Sequence, residues 1–179
     1  MTDWVPWFRV HLQTSAEGLI WAIQQIDPAN LQRLPPRPSY LGTWPPARHI
    51  WHVSEYERCV ALPSMQQWIG GPYLHDVQWP DDDVTWATVQ HRPLAALIAD
   101  FQAIRQQQIA LLEKLTAIDW QFPQATLWGH KPLAAVITKT WQHTYEHTDT
   151  LLRMGLWWQD FAAREAAFQT HGNAPKDLA

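Results

Sequence analysis

A single cysteine, Cys59, stands in the 179-residue chain. That excludes an intramolecular disulfide and a cysteine-rich zinc site. Cations are few and scattered: 13 Lys and Arg stand against 17 Asp and Glu, for a formal net charge of −4. A nucleic-acid binder usually gathers its cations into a stripe, so that role is disfavoured. No window stays apolar over about 18 residues, so no membrane span is expected. The opening stretch MTDWVPWFRVHLQ has no basic segment followed by an apolar run, so no signal peptide is expected either. These absences predict a soluble cytoplasmic protein. Internal repeats, low-complexity tracts and convincing strand patterns are also missing.

What is present is apolar and aromatic. Hydrophobic residues make up 46% and charged residues 17% of the chain, a globular rather than disordered balance. The length predicts one domain over residues 1–170, with 171–179 as a frayed tail. Thirteen tryptophans predict an aromatic core or an aromatic pocket wall.

Four long helical patterns alternate with proline-marked loops. The first runs from about Asp3 to Ile26, with Val5, Phe8, Leu12 and Leu19 on one face. Asp3 is its expected cap, and Asp27-Pro28 ends it. The second starts near Pro45 or Pro46, with Thr43 as candidate cap, and runs to about Pro63 or on to Trp68. A long irregular connection is expected over residues 71–92. The third begins near Pro93 and carries Leu94, Leu97, Phe101, Ile104, Leu111 and Leu115 at helical spacing. The fourth is expected to carry Pro132 in its first turn and to run to about Met154, with Gly155 as a stop. A short fifth helix is expected from Gln159 to about Gln169. The predicted fold is all-α: a four-helix bundle with one long crossover connection, plus the short C-terminal helix.

On the fourth helix, Leu133, Val136, Thr140, His143, His147, Thr150 and Met154 recur at spacings of three and four. Both histidines thus fall in the seam a bundle helix turns toward its partners. A buried imidazole needs partners for both ring nitrogens, and a metal ion satisfies two imidazoles together. In the second helix, RHIWHVSEYERC, the histidines are His49 and His52. His52 lies deeper and is the preferred third ligand; His49 is the alternative or a bystander. Three neutral imidazoles leave a coordination position open, as catalytic metal sites do. Glu55, Glu146 and Asp149 are candidates to accept a ring N–H and orient a ligand. The plain alternative is that the histidine pair is surface or core packing.

HIWHVSEYE in the second helix, with HTYEH in the fourth after WGHKPL, resembles the DinB-like (DinB/YfiT) family from about Val5 to Met154. The resemblance implies a four-helix bundle with a long crossover. It also implies a divalent metal, commonly zinc or nickel, with iron or manganese also compatible, on the positions of His52, His143 and His147. The family includes enzymes that use low-molecular-weight thiols, so a small-molecule substrate, such a thiol and a homodimer are implied partners. The expected function is a metal-dependent transferase or hydrolase, possession of a metal being its premise. The alternatives are a metal- or small-molecule-binding stress protein without turnover, and a purely structural bundle.

Other residues carry weaker readings. Cys59 is expected to be a small core residue rather than a nucleophile. The acidic run 81–83 reads as a loop or helix cap, since consecutive carboxylates do not converge on one point. His11, His75, His91, His130 and His171 are expected at the surface or in loops, with His130 near the site mouth. Trp44, Trp79, Trp86 and Trp128 are expected in loops, as a lid or a pocket wall.

Overall fold

The computed structural model of the chain describes residues 4–74, 82–117 and 119–172. The architecture is all-α with one small two-stranded hairpin. Among the described residues, no helix is long and apolar enough to cross a membrane.

The first helix, α1 (Trp4–Gln24), turns Val5, Phe8, Leu12, Ser15, Leu19 and Ile23 inward. The expected cap Asp3 lies outside the described residues. Asp27 caps the 3-10 turn Pro28–Asn30, its carboxylate accepting from the Ala29 N–H at 2.9 Å. The proline-rich loop beyond it holds a short helix, α2 (Pro38–Leu41). Gly42 comes next with a φ of +87°, and a Cβ there would meet the Thr150 methyl at 3.3 Å. The turn therefore needs glycine for its backbone and for its clearance.

The third helix, α3 (Pro46–Tyr56), begins on a proline whose missing N–H is harmless at the first helical position. Its N-cap is Pro45 rather than Thr43, and no side chain caps it. Pro63 does not end the segment. The chain passes through a π-helical turn, Glu57–Ala61, into α4 (Leu62–Gln66) and a 3-10 turn, Gln67–Ile69. A proline cannot donate to the carbonyl one turn back. The wider turn just before it accommodates that gap, the Leu62 N–H reaching the Glu57 carbonyl five residues back. Gly70, in a left-handed conformation, closes the segment.

The connection expected to be irregular contains a helix, α5 (Asp82–Val89). Trp86 buries against Trp51, ring centroids 5.6 Å apart, and Arg48 pairs with Asp83 at 2.6 Å. Next comes α6 (Leu94–Leu112), with Leu97, Phe101, Ile104 and Leu111 buried as the spacing predicts. A hairpin of β1 (Pro123–Thr126) and β2 (Gly129–Pro132) replaces the expected plain loop. Strands of four residues are too short to show alternation in sequence.

The last helix, α7 (Leu133–Gly172), has 40 residues and so spans about 60 Å. The segment after Gly155 is helical as expected, but it continues α7 without a break. Gly155 is not a left-handed stop. It packs against Gln25, where an added Cβ would stand in ordinary contact at 3.4 Å. Residues 173–179 of the expected tail lie outside the described residues.

Both α1 and α3 pack along α6 and α7. Their apolar faces gather into two main clusters. One includes Leu19, Ile23, Ile50, Val53, Phe101, Leu151 and Met154. The other includes Phe8, Leu12, Met65, Ile104, Leu112, Leu133 and Ile137. Between them on α7 lie the buried threonines Thr140, Thr144 and Thr148, and on the other elements the buried Ser15, Glu57, Arg105 and Gln108.

Arg105 holds this polar layer together. It is 1% exposed and Glu57 is 0% exposed. The guanidinium donates to both carboxylate oxygens of Glu57 and to the Leu12 carbonyl. It also donates to the hydroxyls of Ser15 and Thr144, each at 2.8 Å. One side chain of α6 thus ties α1, the π-helical turn and α7. Burial pushes the Glu57 carboxyl up, and the guanidinium pulls it back down. Arg105→Met leaves a buried carboxylate unpaired, so urea unfolding should show a loss of about 3–5 kcal/mol. Adding Glu57→Leu to that variant should recover part of the loss. A double variant no more stable than Arg105→Met would show that the pairing is not what matters.

Candidate metal centre

The heptad spacing on α7 turns His143 and His147 toward α3, where His52 faces them. Each of the three offers one ring nitrogen, and these nitrogens all lie within 4.8 Å of one another. The Nε2 atoms of His143 and His147 are 3.2 Å apart. Two nitrogens at about 2.1 Å from one tetrahedral ion stand about 3.4 Å apart, so this spacing fits a shared cation. The His52 ring centroid lies 5.2 Å from that of His143 and 5.0 Å from that of His147. All three rings are half-buried, so the cluster is set in the fold without being sealed from solvent.

His49 is near but differently placed. Its Nδ1 stands 2.7 Å from Nδ1 of His147, on the ring edge away from His143. Of the two α3 histidines, the structure therefore brings His52 into the cluster and sets His49 behind it.

Burial is the main electrostatic fact of the site. It lowers His143 to about 2, with His147, His52 and Lys139 adding to the effect. It lowers His147 to about 3, with His52 adding to it. His49 is lowered for the same first reason, then by His147 and His52. At neutral pH these rings are uncharged and keep a free lone pair, the form a metal requires.

The walls are aromatic. Trp44 stacks on His147 with ring centroids 6.1 Å apart, and lies 4.9 Å from His52 and 5.6 Å from His49. The Arg48 guanidinium sits 4.4 Å above the Trp44 ring. Tyr56, one turn beyond His52, packs 4.2 Å from the His143 ring. Burial and then the Glu57 charge push its phenol well up, so it stays protonated. Leu127 and Trp128 from the hairpin turn pack against the small cluster of Tyr56, Val60 and Ala61.

The carboxylates expected to orient the ligands are engaged elsewhere. Glu55 pairs with Arg58, Glu146 accepts from Gln142 at 2.8 Å, and Asp149 pairs with Arg153 at 3.1 Å. Glu146 and Asp149 flank His147 in sequence, and positions one or two residues away leave the seam and face solvent. Cys59 is half-buried and pushed up by burial, which suits packing better than nucleophilic chemistry. His11 is held between Trp7 and Trp141, at 4.0 and 4.6 Å, rather than free at the surface. His91 and His130 are exposed, with His130 on β2 opposite Ala125. Trp86 belongs to the core. The positions of His75, Trp79, Asp81 and the His171 side chain lie outside the described residues.

The Arg105–Glu57 pair is the part that helical spacing did not reveal. It left a signal: Arg105 and Gln108 continue the Phe101 stripe, and Glu57 continues the Val53 stripe, putting opposite charges in two apolar seams. Through Thr144 that pair reaches the residue next to His143.

Acid should destabilise the metal-free protein. His143 and His147 hold protons more weakly in the fold than at their ordinary 6.5. The unfolded chain therefore binds more protons below that value. Stability is fully present above about pH 6.5 and declines as pH falls toward the folded values, by about 1.4 kcal/mol per pH unit for each histidine. Urea unfolding at about pH 7, 6 and 5 measures the slope. His143→Leu should flatten it, and an unchanged slope would show that the buried rings do not set it.

A family model of the DinB superfamily matches residues 11–151, a span that contains all three clustered histidines. No curated protein and no solved structure matches the chain.

Proposed function

Since the chain belongs to the DinB superfamily, we propose that it holds one divalent metal ion on His52, His143 and His147 and acts on small molecules as a metal-dependent transferase or hydrolase. The observation that carries the reading is the convergence of three imidazoles from α3 and α7, whose ring nitrogens lie within 4.8 Å of one another. Imidazole ligands suit zinc and nickel, and accept iron or manganese less selectively. When bound, such an ion favours the deprotonated form of a water or a thiol, which is the chemistry transfer and hydrolysis need. The chain's own contribution is to keep His143 and His147 neutral, to present the three rings from two helices and to line the site with Trp44 and Tyr56. A low-molecular-weight thiol as co-substrate is the finer form of this reading, supported by the family resemblance. A homodimer belongs to it as well, supported by the exposed Trp7, Trp21 and Trp157.

A second reading, metal binding without turnover, is favoured by one observation. The carboxylates nearest the histidines in sequence are each paired with another side chain, which competes with acid–base work.

Elemental analysis of tag-free protein tests the common premise. Wild type should carry about one metal ion per chain, and His147→Ala should lose most of it. Wild type that stays empty after reconstitution with zinc, nickel, iron or manganese would remove both readings. Thiol-transfer assays with the metal found then separate an enzyme from a binder.

A further inference from the structure

His49 is not one of the three proposed ligands, and its geometry gives it a different task. It is 5% exposed. Its Nδ1 stands 2.7 Å from His147 Nδ1, while His147 Nε2 faces His143 Nε2 at 3.2 Å. The two edges of the His147 ring therefore face two different neighbours. We infer that His49 is a positioning residue: its Nδ1 accepts the Nδ1–H of His147 and holds that ring in the tautomer whose Nε2 lone pair faces the metal position. The inference rests on the metal-binding reading.

The argument is one of proton counting. A hydrogen bond between two Nδ1 atoms requires one proton between them. A ligating Nε2 carries none, so a neutral His147 must carry its proton on Nδ1. His49 Nδ1 is then the acceptor, and the His49 proton lies on Nε2. That Nε2 is buried and has no hydrogen-bond partner among the described residues. Packing alone therefore disfavours an imidazole here, because a leucine would bury no orphaned polar atom. The contact with His147 is the compensating feature. In many metal sites a carboxylate does this work, but Glu146 and Asp149 face Gln142 and Arg153 instead. Trp44, packed on both His49 and His147, restricts how either ring can turn.

Zinc affinity, measured by chelator competition on the tag-free full chain, tests this for wild type, His49→Leu and His49→Asn. The melting temperature of each metal-free protein is measured beside it. Asparagine can place its side-chain oxygen where Nδ1 stands and keep the acceptor. Affinity should fall about 10–100-fold in His49→Leu and stay within about threefold of wild type in His49→Asn. The metal-free His49→Leu protein should melt no lower than wild type. A merely structural His49 gives the reverse, a lower melting temperature with unchanged zinc affinity. That pattern, or equal affinity in all three proteins, overturns the inference. If His49→Leu does not fold, ring-nitrogen NMR of zinc-loaded wild type decides. The His147 proton on Nδ1 and the His49 proton on Nε2 support it, and a His49 proton on Nδ1 overturns it. Wild type that binds no zinc overturns it too, but that failure shows before any variant is compared and belongs to the metal reading.

Discussion

The fold turns on a buried charge pair. Arg105 cannot lie between two apolar clusters without partners, because an uncompensated guanidinium there is strongly disfavoured. Its partners come from three other elements: Glu57 from the π-helical turn, Leu12 and Ser15 from α1, and Thr144 from α7. Such a pair adds little net stability compared with well-packed apolar residues. What it does is penalise wrong arrangements. A shift of α7 by one residue would carry Thr144 away from the guanidinium and His143 away from His52.

The histidine cluster lies in the same layer as this pair. That location explains how three half-buried imidazoles can stand together. The polar layer interrupts the hydrophobic core at the height where α3 faces α7, so the rings meet each other rather than leucines. Depressed basicity comes from the same burial, and it leaves the rings as neutral donors. Trp44 and Tyr56 then shape the approach, one from the loop before α3 and one from its last turn. The rigidity that a metal site needs thus comes from helices locked by a network one residue away.

Much of this was legible in the chain. Four helical stripes and the inward turn of His143 and His147 come from spacings of three and four, and the preference for His52 over His49 comes from its place further inside the helix. Those are local properties, because a helix face is determined within a few residues. The hairpin at 123–132, the helix over 82–89 and the unbroken run through Gly155 were not legible. Short strands leave no alternation to see, and glycine reads as a stop unless its neighbours are known. Gln25, which packs against Gly155, is 130 positions earlier in the chain.

By itself, the sequence determined the class of fold, the number of long helices and the histidines that share a seam, since periodicity and proline placement act over one or two turns. Only the tertiary structure decided which groups meet across helices. It paired Arg105 with Glu57, gave Glu55, Glu146 and Asp149 the partners Arg58, Gln142 and Arg153, and set His49 Nδ1 against His147. Those pairings depend on helix rotation and register to within an ångström or so. Nothing in the spacing along one chain segment carries that information about another.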